Sequence, residues 1–287
     1  MVWLARAAWL FVAVLGGQAV GAAMDERSRA VQVVGTAGAW VGWAAAAVAL
    51  AVTGVATLTA ARALVPGAAV VAAATGIGGA DAGAVLALAV PTAITIALVG
   101  SAEFGRGYIQ ASAYGDEQRF GLRPPLGYLA AGAGSWLVTA AAVVAAPLAL
   151  AARSWVVAVA ATLVAATGAK ILPVRWHQLS RRWLVLVPAG VVVHDPVVLS
   201  DTLMLPKRTV KSVRLDDAGV AATTAADLTG PTPGLAVEIV LTESTTAVLA
   251  ATRAHRGGRA IHLSALVVSP SRPGSVIVAA RRRALPA

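Results

Sequence analysis

Few residues in this chain have a type and spacing that could do chemistry. His194-Asp195 is an HD pair, an arrangement that ligates metals in some hydrolases, but no further His or Asp stands where it would complete a ligand set. Asp195-Pro196 is also ordinary turn chemistry, and a structural role is expected for the pair. Gly132-Ala-Gly-Ser135 is one residue removed from Gly-x-Ser-Gly, the frame of an intramembrane serine nucleophile. All four histidines (His177, His194, His255 and His262) lie beyond the last apolar segment, so that serine has no base nearby in sequence. Thr75-Gly-Ile-Gly-Gly-Ala-Asp81 loosely resembles a phosphate loop, yet it lacks the Lys-Ser/Thr ending and follows an apolar run instead of a strand. A tight turn is expected there. The chain has no HExxH and no cysteine, which excludes disulfides, Cys-ligated zinc and a Cys nucleophile. With no base, nucleophile and orienting group at credible spacing, the chain is not expected to be an enzyme, and no catalytic residue, metal or cofactor is assigned.

The elements that would have to position any site are mostly apolar. Charge-free intervals run Ala7 to Met24, Ala30 to Ala61, Ala63 to Ala80, Ala82 to Ala102, Pro124 to Ala152 and Ser154 to Ala169. A hydrocarbon core of about 30 Å takes roughly 20 apolar residues of helix, so these six intervals read as six spans. The last reaches span length by including Lys170, whose amine can snorkel to the interface. The chain is 58% hydrophobic with a mean hydropathy of +0.77, against about 45 to 50% apolar in soluble domains. Pro91 and Pro147 fall inside the fourth and fifth spans, where kinks are expected.

Lys and Arg are retained on the cytoplasmic side of short loops. A cytoplasmic N-terminus puts Arg62 and then Arg106, Arg119 and Arg123 inside, with Arg27, Arg29 and Arg153 outside. The tail after the last span carries fourteen Lys and Arg against seven Asp and Glu and is expected to be cytoplasmic, on a multi-pass protein of the inner (plasma) membrane. Arg6 ahead of an apolar run, with Gly21-Ala22-Ala23 after it, also fits a cleaved signal peptide, and its removal would leave the tail on the same side. The net charge of +10 fits an anionic leaflet better than nucleic acid, because the tail's aromatics, Trp176 and Trp183, sit only at its membrane end. No nucleic-acid partner is expected.

Spans built from Ala, Val and Gly are stabilised by packing through small faces, and Gly17 with Gly21, Gly38 with Gly42 and Ala130 with Gly134 have the spacing for it. Trp3 and Trp155 are placed as interfacial anchors. Ionisable residues at mid-span mark transport paths, and Arg6, Asp81, Glu103 and Lys170 can all lie at span ends. The bundle therefore reads as a scaffold. The alternative is a small-solute transporter or channel component regulated by the tail, with a passage lined by Gln18, Thr53, Thr57, Thr92, Thr95 and Thr139. The connector from Glu103 to Arg123, with Tyr108, Tyr114 and Phe120, either lies along the membrane surface or docks on the tail.

Past Trp176 the texture changes to short runs of branched residues broken by Pro, Gly and Asp. Strands are expected at Trp183 to Val187, Val191 to His194, Ser212 to Leu215, Leu235 to Thr242, Thr246 to Ala251, Ala260 to Leu263 and Leu266 to Ser269. A turn is expected at Pro188-Ala-Gly190 and a mobile loop from Asp216 to Gly234. A closing helix runs from Val276 to Arg283, with Arg281, Arg282 and Arg283 at the favourable end of its dipole. The expected architecture is thus an all-α membrane bundle of about six helices over 1–174, then a small mainly-β barrel or sandwich with a C-terminal helix over 175–287.

Leu179-Ser-Arg-Arg-Trp-Leu-Val-Leu-Val-Pro-Ala-Gly-Val-Val-Val-His-Asp-Pro196, Asp201-Thr-Leu-Met204 and Ser269-Pro-Ser-Arg-Pro-Gly274 together resemble a group of uncharacterised actinobacterial integral membrane proteins. Twenty Arg to three Lys agrees with a high-GC genome. The order of strands and closing helix is similar to bacterial pleckstrin-homology-like (PH-like) domains. Neither resemblance implies an activity or carries site residues. Arg181, Arg182, Lys207, Arg208, Lys211 and Arg214 form a basic cluster that is either a solvated face or a contact for lipid headgroups or a membrane partner. The expected function is a non-enzymatic membrane protein that tethers this basic β domain at the leaflet.

Overall fold

The structure, a computed structural model, describes residues 1–218, 225–251 and 255–287. Six helical segments in it are long and apolar enough to cross a membrane, and a strand-rich region follows. The chain divides into two compact units, one of Met1–Tyr108 with Ala131–Trp176, the other of Ile109–Ala130 with His177–Ala287.

The first unit starts with α1 (Val2–Met24), α2 (Arg29–Ala51), α3 (Val55–Leu64), α4 (Gly67–Ile77), α5 (Ala82–Gly100) and α6 (Ala102–Gln110). Helices α3 and α4 together make the third span, interrupted at Val65-Pro66 because Pro66 has no N–H to continue the ladder. The sequence placed span boundaries at charges, and this misplaces two of them. The break between α2 and α3 is the uncharged Val52-Thr53-Gly54, and Arg62 lies within α3 instead of in a loop. Its guanidinium reaches the carbonyl of Val99 at the end of α5, 3.4 Å away. Arg6 does the same for α2, donating to the carbonyls of Leu50 (2.8 Å) and Ala51 (2.7 Å), while the Tyr108 hydroxyl donates to Ala49 and Leu50. Helix C-termini leave carbonyls unpaired, and in an apolar solvent these donors replace water.

The paired glycines do not do the packing expected of them. Gly17, Gly21, Gly38, Gly42 and Gly134 each face open space. The close approach of α1 to α5 is at Gly16, where an added Cβ would lie 2.6 Å from Leu88. Trp9 and Trp43 lock α1 to α2 by donating to each other's backbone carbonyl, both at 3.1 Å. Trp3 and Trp155 are exposed, as anchors would be. The turn after α4 contains Gly78 and Gly79, and Asp81 caps α5 by accepting from the Ala84 N–H at 3.0 Å. Helices α7 (Leu126–Ala151) and α8 (Trp155–Ser180) complete the spans, with Pro147 and Lys170 inside them. They meet where Gly168 faces Thr139.

The second unit has two sheets. The first pairs β1 (Gln118–Gly121), β2 (Trp183–Val187), β3 (Gly190–His194) and β4 (Leu203–Pro206) in chain order, all antiparallel. The second is ordered β5 (Val210–Ala218), β7 (Gly234–Leu249), β8 (Arg259–Val268) and β6 (Ala226–Asp227), with β6 parallel to β8. Bridges at Leu122–Pro270 and Leu199–Leu249 tie the sheets, which do not close into a barrel. Inward residues such as Leu184, Val193, Leu205, Ile239 and Leu266 share one core with Val276, Ala279 and Ala280 of α9 (Pro273–Arg282). Strand β1 comes from the connector, paired from Gln118 with Leu186 to Gly121 with Trp183. The two strands expected from Leu235 to Ala251 are one, β7, with a register shift between Val240 and Thr245, and β8 likewise joins two. Of the expected Asp216–Gly234 loop, part is strand at β5 and β6, and residues 219–224 lie outside those described.

Candidate functional site

The basic residues of the second unit separate into two sets. Arg182, two residues past the end of α8, is 1% exposed. Its Nε and one terminal nitrogen donate to the two oxygens of Asp195 at 2.8 and 2.7 Å, and the other terminal nitrogen donates to the carbonyl of Arg123 at 2.7 Å. Asp195 also accepts from the N–H groups of Val197 and Val198, the turn role open to an Asp before Pro. Arg182 is therefore withdrawn from the surface, and its place in the candidate cluster is corrected: it closes a buried ion pair and can meet no headgroup. Sequence could not reveal this, because nothing local distinguishes Arg182 from Arg181, which is exposed.

Arg214 is also committed. It pairs across the strands with Glu238, whose carboxylate is 2% exposed, and that neighbour holds the Arg214 proton more firmly than usual. The alternation of Leu235 to Thr242 sets Glu238 opposite Leu235, Val237, Ile239 and Leu241, yet Glu238 is buried and Leu235 is exposed.

Arg181 is exposed just past the end of α8, apart from the other three cations of the cluster, which meet a second element. Lys207 and Arg208 lie on a 3₁₀ turn (Lys207–Thr209), and Lys211 sits at the bulge that starts β5. The Lys207 amine donates to the carbonyl of Arg283 at 2.8 Å, and the Val213 N–H donates to Pro286 at 2.6 Å, so the turn and the edge of β5 are held to the end of α9. That end brings Arg281 and Arg282, both exposed. Arg281 donates to the Ala287 oxygen, and Arg283 pairs with Asp116 of the connector at 2.8 Å. Arg208, Lys211 and Arg282 present their charges to solvent. Sequence reading had assigned Arg281 and Arg282 to the helix dipole alone; the run of three arginines was the available signal.

The HD pair takes structural roles, Asp195 in the ion pair with Arg182 and His194 in a ring stack. Among the described residues no group of three or more His, Asp or Glu could hold a metal ion. His194 stacks on Trp183 with ring centroids 5.0 Å apart, and its Nδ1 bonds the Thr202 hydroxyl at 2.8 Å. Burial, helped by the positive charges of Arg181 and Arg119, pulls its pKa below the usual value, against an opposing pull from Asp195. Arg119 lies over the other ring system of the stack, Trp183, at 5.1 Å. No family model, curated protein or solved structure matches the chain.

Proposed function

We propose that this is a non-enzymatic integral membrane protein of the inner (plasma) membrane, whose helices tether a basic PH-like β unit to the cytoplasmic leaflet, where it engages anionic headgroups or a membrane partner. The observation that carries this reading is the meeting of Lys207, Arg208 and Lys211 with the basic end of α9 on one surface of a unit joined to apolar spans. The rival reading, a solute passage, is disfavoured by its own candidate residues. The hydroxyls of Thr57, Thr92 and Thr95 donate to carbonyls of Gly54, Leu88 and Pro91, within or at the start of their own helices, at 3.0, 2.8 and 2.8 Å. Thr92 and Thr95 are moreover 1% and 0% exposed, so neither faces an open path.

Because the chain has no cysteine, a single Ser244→Cys on the β unit reports its side directly. An impermeant maleimide is expected to label it only after the cells are permeabilised. Labelling in intact cells would overturn the proposal.

A further inference from the structure

The connector between α6 and β1 adds an observation that the basic cluster alone does not contain. Asp116 is held by Arg283 through both its carboxylate (2.8 Å) and its carbonyl (2.9 Å), which fixes the tip of the connector beside the basic end of α9. Two residues before it, Tyr114 is 89% exposed. Its backbone N–H is held by the Glu117 carboxylate at 2.6 Å, and the Glu117 carboxylate is held in turn by Arg119. A large aromatic is thus presented outward from a loop whose Asp116 is held at the basic end of α9. A protein pocket for an acidic segment would shelter such a ring. A bilayer surface uses both features at once: cations meet anionic phosphates, and an amphipathic Tyr ring sits at headgroup level.

We propose that Arg208, Lys211, Arg281 and Arg282, with Tyr114 as an aromatic foot, form a docking face for anionic phospholipid of the membrane that holds the helices. This rests on the tethering reading and narrows its partner to lipid. Of the acidic residues tied to the face, Asp116 is neutralised by Arg283 and Glu117 by Arg119, and Glu243, near the 3₁₀ turn through the Thr242–Thr209 hydrogen bond, is outnumbered by the cations, so the net charge of the face stays positive. Attraction to anionic lipid fades within a Debye length, so the docked state is sensitive to salt.

The test uses the full chain with Ser112→Cys carrying a polarity-sensitive fluorophore, in nanodiscs of phosphatidylcholine alone or mixed with phosphatidylglycerol, read by quenching from headgroup nitroxides. Quenching is expected in the anionic discs, and it is expected to fall away in neutral discs and at high salt. Each cation changed to Gln lowers docking by about fivefold, and Tyr114→Ala lowers it further without changing the salt dependence. The salt series on the otherwise unaltered face needs no variant to fold. Equal quenching in both lipids overturns the inference. Should a photo-crosslinker at Lys211 then capture a membrane protein, the tether survives with a protein partner; capture of nothing removes the tethering reading too.

Discussion

The helical unit and the β unit use arginine differently. In the helices, Arg6 and Arg62 turn inward onto the terminal carbonyls of α2 and α5, because lipid offers those carbonyls no other donor. In the β unit Arg123 also spends its charge on a carbonyl, that of Leu235, but Arg208 and Arg282 stay exposed, and Arg182 is buried against a full countercharge. A charge count therefore overstates the binding surface wherever a basic residue has a buried acceptor.

The largest effect should come from Arg182→Ala, which strands the Asp195 carboxylate in the core. A loss of about 3–5 kcal/mol in unfolding free energy is expected by chemical denaturation. Replacing both partners with apolar residues of similar size should recover most of that loss, which would place the cost in the orphaned charge and not in the missing attraction.

Gly190 comes next. Its φ of +152° lies where side chains are rarely tolerated, and an added Cβ would fall 2.1 Å from the Leu205 carbonyl oxygen on β4. Gly190→Ala should cost about 2–3 kcal/mol and lower the thermal midpoint of the β unit.

On the helical side, Gly168→Ala drives a methyl into Thr139, 2.3 Å away, for a loss of about 1–3 kcal/mol. Thr139→Ala should relieve it, and failure of that rescue would show that α7 and α8 do not meet there. Tyr108→Phe removes a donor to two carbonyls of α2 and should cost about 1 kcal/mol, measured by thermal unfolding in detergent.

The smallest effect is one of pH. His194 is held below its ordinary 6.5, so the folded chain takes up this proton less readily than the unfolded chain. Its contribution is whole above 6.5, declines as pH falls from 6.5 toward the folded value and then levels off. Comparing melting at about pH 8 and about pH 5 should show this slope, and His194→Gln should flatten it.

Hydropathy made the spans legible, and alternation made β2, β3 and the inward Val237, Ile239 and Leu241 legible. What escaped were features set by distant partners. Gln118–Gly121 is too short and too polar to read as a strand until β2 is beside it. Leu203–Pro206 and Ala226–Asp227 are edge pieces of the same kind. Glu238 is buried although alternation sets it opposite the core face, because its cover and its Arg214 partner come from elsewhere in the chain. In the candidate site, the 3₁₀ turn was readable as basic, but its junction with α9 runs through one lysine amine and one backbone carbonyl, which no local pattern encodes.

The edge strand Gln118–Gly121 leaves the ribosome before α7 and α8, yet its partner Trp183–Val187 is made only after both. The first sheet can therefore be completed only after both helices have been made. A fragment begun at residue 175 would lack that first strand and leave β2 with a bare row of backbone donors and acceptors, a template for aggregation. The β unit is thus no cassette to be cut out and moved to another protein.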